Sequence, residues 1–99
     1  MVNWDRIAEL QEEIGEDEFD EVLSLFCEEM EEALSSLGDD PASLKADLHA
    51  LKGSALNIGL DEFGAICQRA EQQPDRASVD AIREAYFAAR SSLPLVGDV

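Results

Sequence analysis

One histidine, one tryptophan, one tyrosine and two cysteines are all that this 99-residue sequence holds of those four residue types. A single imidazole rules out paired-histidine metal motifs such as His-Glu-x-x-His. Two cysteines and one histidine at unrelated spacing are too few for a structural zinc site. Cys27 and Cys67 both fall in apolar helical rows and read as small buried hydrophobes with reduced thiols. Basic residues are scarce as well: seven Lys and Arg stand against 23 Asp and Glu, a formal net charge of −16. A field of that sign repels phosphate backbones and anionic lipid surfaces, so nucleic acid and membrane are poor partners. The excess acid reads as a solvated, solubilising face. No apolar run approaches the roughly 18 residues of a spanning helix, and no basic segment leads into an apolar N-terminal stretch. The expected compartment is therefore the cytoplasm. Also missing are a Gly-rich phosphate loop, a kinase-like ATP site and the Asp-Ser-Leu attachment site of an acyl carrier.

What is present is helical. Apolar residues make up 45% of the chain, mainly Leu, Ala and Ile, enough for the core of one compact domain over residues 1–99. Helical periodicity runs through every long segment, and strand alternation appears in none. Trp4, Ile7, Leu10 and Ile14 form a short stripe that Gly15 stops. Phe19, Val22, Leu23, Phe26, Met30, Ala33 and Leu37 form a longer one, with Cys27 and Leu34 alongside and glutamates on the outer face. The sequence GDDP breaks the chain at residues 38–41, with Asp40 as a cap and Pro41 in the first turn of the next helix. Leu44, Leu48, Leu51, Ala55 and Ile58 follow at steps of four, three, four and three, the buried face of a third helix that Gly59 ends. Phe63, Ile66, Cys67 and Ala70 mark a fourth helix, closed by QQPD at residues 72–75. Ser78 caps a last one carrying Val79, Ile82, Tyr86, Ala89 and Leu93, and the tail from Pro94 is expected to fray. The spacing predicts a short helix over about 3–14 and bundle helices over about 16–37, 41–58, 61–73 and 78–92. Short connections make this an all-α, antiparallel up-down-up-down four-helix bundle with an extra N-terminal helix.

The lone histidine sits in LHALKGSALNIG, residues 48–59. On a helical wheel the leucine row faces the core, and His49, Lys52, Gly53 and Leu56 share a neighbouring row at i, i+3, i+4 and i+7. An accessible neutral imidazole is a competent nucleophile, and an ammonium one turn away can stabilise an incoming phosphoryl group. Lys45, Lys52 and Arg69 are the basic groups near the motif that can meet an anion locally. Gly53 costs the helix roughly 0.8–1 kcal/mol relative to Ala. Either tight helix packing or the close approach of a partner explains keeping it.

The run His49-Ala50-Leu51-Lys52-Gly53-Ser54-Ala55, followed by Asn57-Ile58-Gly59, resembles the signature of histidine-containing phosphotransfer (HPt) domains. That pattern is His-x-Leu-Lys-Gly-Ser-(Ala/Ser), then a small spacer and a Gly. GEDEFDEVLSLFCEEMEEAL, residues 15–34, is similar to the family's second helix, and GLDEFGAICQRAE, residues 59–71, to the helix after the motif. The resemblance extends over about residues 3–92. Ala70 departs from it, since many members carry Leu there.

The resemblance implies a four-helix bundle with the histidine at mid-helix and a stoichiometric phosphocarrier without an ATP site. His49 would take a phosphoryl group from a receiver-domain phosphoaspartate and pass it to another receiver Asp. Lys52 would counter the phosphoryl charge, and Gly53 would leave room for the partner's loops. A polar residue one helix over would hydrogen-bond the inner imidazole nitrogen; Glu71 matches that position best, with Gln68 and Gln72 as alternatives. Leu56, Leu60 and Lys45 would join the docking surface. Response-regulator receiver domains and a hybrid histidine kinase are the implied partners. Magnesium is expected on the receiver only, with no cofactor on this chain. A monomer is expected, and Met1 with the single-domain length favours a free-standing protein over a piece of a hybrid kinase. The alternative is a non-phosphorylated module that binds a receiver or kinase through the same scaffold; the intact His-x-x-Lys-Gly argues against it.

Overall fold

The computed structural model describes residues 2–38 and 40–94. Five α-helices follow one another: α1 (Trp4–Ile14), α2 (Glu16–Ser35), α3 (Pro41–Asn57), α4 (Asp61–Gln72) and α5 (Val79–Arg90). A 3-10 turn at Pro74–Arg76 joins the last two. No strand occurs among the described residues. Among the described residues no helix is long and apolar enough to cross a membrane. The fraying expected of the tail, from residue 95 onward, lies outside the described residues.

Local chemistry sets the helix ends. Asn3 Oδ1 accepts from the Arg6 N–H at 3.1 Å, Asp40 Oδ2 from the Ser43 N–H at 3.1 Å, and Ser78 Oγ from the Ala81 N–H at 3.2 Å. Each satisfies an N–H that the first turn of a helix leaves without a partner. At the far end of α3, Gly59 adopts φ +79°, the Leu60 N–H reaches Ala55 O at 2.8 Å, and the Gly59 N–H reaches Leu56 O at 3.3 Å. This is a Schellman closure, which needs a residue tolerant of the left-handed region. Gly59 is required for a second reason: a Cβ there would sit 2.9 Å from Asn3 O.

Side-chain pairs fix the directions. Along α2 and α5, Leu34 O accepts from Arg83 Nε at 3.0 Å, Glu31 meets Tyr86 and Arg90, and Cys27 O accepts from Tyr86 Oη at 3.2 Å. As numbers rise on one helix they fall on the other, so the two run antiparallel. On α3 and α4 the same holds, with Leu56 over Gly64 and His49 beside Glu71. These two helices form the most extensive pair in the molecule. α1 closes the end where α3 stops and α4 starts. Arg6 donates from Nε to Asn57 O (2.8 Å) and from its terminal nitrogen to Asn57 Oδ1 (2.9 Å), while the Asn3 N–H donates to Gly59 O (2.7 Å).

The core contains the whole expected leucine row of α3 together with Phe63, Cys67, Ile82 and Tyr86. Tyr86 is fully buried, edge-on to Phe63 with ring centres 5.6 Å apart, and its hydroxyl is satisfied by Cys27 O and Glu31. α2 is rotated from the expected face. Its buried residues are Phe19, Leu23, Cys27, Met30 and Leu34; Val22 and Phe26 are half-buried and Ala33 is exposed. Trp4, assigned to the stripe of α1, is exposed as well. The apolar arc of α2 is wider than the bundle covers, and the two rows are one residue apart, so the pattern alone did not select between them.

Candidate functional site

α3 presents His49 because its neighbours face inward. Leu48 and Leu51 are buried, which turns the residue after Leu48 toward solvent. The imidazole is 69% exposed. Its Nδ1 lies 2.7 Å from Glu71 Oε1, and the Glu71 side chain is only 16% exposed. A carboxylate accepts, so Nδ1 carries the hydrogen and donates it to Glu71. In the neutral ring this leaves the lone pair on Nε2, the outward nitrogen.

Glu71 reaches the ring from α4, one turn beyond Cys67. Burial, and secondarily the Glu71 carboxylate, push the Cys67 thiol up to about 12. Burial likewise raises Cys27, against the lowering influence of its contacts with Tyr86 and Arg90. Both thiols stay protonated at neutral pH and offer no competing nucleophile. Tyr86 is raised by burial as well, which keeps its hydroxyl a neutral donor. Gln68 and Gln72 are exposed, and among the described residues neither bonds to His49. Of the three polar residues considered for the imidazole, Glu71 is the one in contact.

Lys52 is half-buried one turn beyond His49, and Lys45 is exposed one turn before it. Neither has an ion-pair partner among the described residues, whereas Arg6, Arg83 and Arg90 are each paired with a carboxylate. α3 is also the one α-helix with more bases than acids, Lys45 and Lys52 against Asp47. α2 carries nine acidic residues and no basic one. The local field at His49 is therefore unlike that of the molecule as a whole. Arg69 is exposed on α4, away from the face that carries Glu71 and Gly64.

Gly53 separates the two explanations left open for it. A Cβ placed there meets no atom within 4 Å, so helix packing within this chain does not require glycine. The space beside His49 is open. Leu56 is 44% exposed and rests on Gly64, where a Cβ would come within 3.1 Å of the Leu56 methyl. Leu60 is not on this surface. It is fully buried, because the closure at Gly59 ends α3 and turns the next side chain back onto the core. Its expected place at the docking surface is thus corrected. On α2, Leu25 is 52% exposed.

Comparison with known proteins agrees with this geometry. The model of the Hpt domain family matches residues 21–92. The phosphorelay protein LuxU of Vibrio harveyi is 31% identical over 101 aligned residues, covering 97% of this chain and 86% of the relative. The phosphorelay protein LuxU of Vibrio vulnificus strain YJ016 is 39% identical over 90 residues, covering 85% of this chain and 76% of the relative. No solved structure matches significantly. The chain therefore belongs to the Hpt domain family and is a histidine phosphotransfer protein of a phosphorelay.

Proposed function

We propose that His49 is the phosphoacceptor, that it receives a phosphoryl group from the phosphoaspartate of a receiver domain, and that it delivers it to the Asp of a second receiver. The observation that carries this reading is the Nδ1–Glu71 contact at 2.7 Å, which directs the free Nε2 outward on a helix face that also carries the open Gly53 and Lys52, a lysine with no ion-pair partner among the described residues. The Nε2 lone pair forms the N–P bond as the aspartyl O–P bond breaks and its electron pair returns to the carboxylate. The hydrogen remains on Nδ1, and Glu71 balances the positive charge the ring acquires. Lys52 offsets charge on the phosphoryl oxygens, and Gly53 admits the receiver's loops. Positioning and electrostatics account for the step.

In this reading the chain is a stoichiometric carrier without an ATP site. The receiver's own acidic residues hold the magnesium ion, and no cofactor is assigned here. A hybrid histidine kinase stands upstream, and the protein acts as a cytoplasmic monomer made of a single domain. Lys45 and Leu56 belong to the face the receiver covers. Incubation with a receiver carrying labelled phosphate tests the assignment. Wild-type protein acquires an acid-labile label and His49→Gln does not; a label that survives the substitution removes His49 from the mechanism. Receiver binding without any label on wild-type protein supports the non-phosphorylated binding module instead.

A further inference from the structure

The transfer step above leaves Gln68 without a part. Its side chain is exposed and makes no hydrogen bond among the described residues. An exposed glutamine on a helix is ordinary, but the register of α3 against α4 sets this one apart. Two contacts fix that register: His49 meets Glu71, and Leu56 rests on Gly64. His49 to Leu56 and Gly64 to Glu71 are both spans of seven residues, as two aligned antiparallel helices require. Lys52 lies between the first two, at i+3 from His49 and i−4 from Leu56. Gln68 lies between the other two, at i−3 from Glu71 and i+4 from Gly64. Lys52 and Gln68 therefore occupy the same step of the α3–α4 seam.

That step adjoins the His49–Glu71 contact. Each of the two residues stands about 4.5 Å along its helix axis from the contact, on the side toward Leu56. The open Gly53 is on that side as well. Lys52 is half-buried on the α3 bank of the seam, and Gln68 is exposed on the α4 bank. The chemistry of position 68 fits the place. α4 carries the carboxylates Asp61, Glu62 and Glu71, but the residue across from Lys52 is uncharged. A carboxylate there would draw Lys52 into an ion pair and repel phosphoryl oxygens. A carboxamide offers two N–H donors and does neither.

From this register we infer that Gln68 is a second phosphoryl-binding residue of the site, its side-chain amide donating a hydrogen bond to a phosphoryl oxygen across the seam from Lys52. This rests on the phosphorelay reading and adds to it a ligand from α4. No bond is made or broken at Gln68 and no proton moves there. The N–P bond forms and the aspartyl O–P bond breaks as described above, while the amide and the ammonium each hold one of the non-bridging oxygens. A group held from two helices has its rotation about the N–P bond restricted, which keeps phosphorus aligned for in-line attack. The uncharged donor also leaves the Lys52 ammonium free for the phosphoryl group.

The test uses the full chain and a labelled receiver domain chosen because it phosphorylates the wild-type protein. Gln68→Ala lowers the maximal transfer rate about fivefold, while the half-saturating receiver concentration stays within about twofold. Gln68→Glu, nearly the same in shape, falls further and regains part of its rate as sodium chloride screens the new carboxylate from Lys52. Gln68→Lys keeps an N–H donor and loses less than Gln68→Ala. Phosphorus-31 spectra of the phosphorylated protein supply a readout that packing does not move. A donor favours the more highly charged phosphoryl form, so the group titrates at higher pH in Gln68→Ala than in wild type. Gln68 is exposed, so circular dichroism and thermal melting of the variants match wild type. Wild-type rate and wild-type titration in Gln68→Ala, with normal labelling of His49, overturn the inference and leave the phosphorelay reading standing. A rate loss with an unchanged titration overturns it too, because the side chain then acts through docking or packing alone. No label on wild-type protein with any receiver overturns both.

Discussion

Replacing Glu71 by Ala tests the link between the half-buried carboxylate and the exposed ring. The contact is short, 2.7 Å, and joins Nδ1 to a side chain that is 16% exposed. A hydrogen bond to a charged group contributes about 1.5–3 kcal/mol. The ring itself is 69% exposed, so water competes for Nδ1 and the lower end of that range applies. At about 1.5 kcal/mol, the transfer rate at saturating receiver falls a little over tenfold. Half-saturation barely moves, because Glu71 lies behind the ring and out of the partner's reach. Glu71→Gln keeps an acceptor oxygen at the same place and loses only the charge, so its rate falls about two- to threefold. Quench-flow with a labelled receiver gives the rates, and nitrogen-15 spectra of His49 give the ring tautomer. Wild type shows hydrogen on Nδ1, and Glu71→Ala shows a mixture. A Glu71→Ala protein with wild-type rate and wild-type tautomer refutes the assignment of Glu71.

Three further outcomes follow from the geometry. Gly53→Ala meets open space and gains helix propensity, so urea unfolding shows the protein more stable by about 0.8–1 kcal/mol while transfer slows; a loss of stability instead means that packing requires this glycine. Gly59→Ala places a Cβ 2.9 Å from Asn3 O at φ +79° and costs about 2–4 kcal/mol in the same assay, from left-handed strain and the weakened Asn3–Gly59 bond; a change under about 0.5 kcal/mol contradicts the closure described. Cys67 is raised from an ordinary 9.0 to about 12 in the folded chain, so the unfolded chain loses this proton first. The stability that the buried thiol contributes is intact below pH 9 and declines between about pH 9 and 12, by up to about 1.4 kcal/mol per unit; parallel pH–stability curves for wild type and Cys67→Ala show that this linkage is absent.

The sequence was most informative where pattern and chemistry coincided. In α3 the leucine steps fit a single helical face, and every member of that row is buried. The same steps turn His49 outward, so its exposure is legible in the pattern alone. α2 was harder to read because apolar residues occupy two adjacent rows. Periodicity marks an amphipathic helix, but which row touches the core depends on Tyr86 and Glu31 meeting across the α2–α5 contact. Leu60 was misplaced for a related reason. It stands four residues after Leu56 and would share its face if the helix continued, but the closure at Gly59 ends the helix between them. The partner of the imidazole lies 22 residues away; the resemblance to HPt domains already ranked Glu71 above Gln68 and Gln72, and the pairing of α3 with α4 brings its carboxylate to the ring.

The hydrogen between His49 and Glu71 also bears on how the relay runs. In the transfer proposed above, no proton enters or leaves the ring when the N–P bond forms, and none when it breaks. Loading and unloading are then the same event traversed in opposite senses, with identical groups in place at each end. Such a site acts as a level bridge: it carries no ratchet of its own, and the phosphoryl group travels toward whichever receiver is emptier or holds it more tightly. In that reading the direction of transfer is set by the two receivers and not by this site.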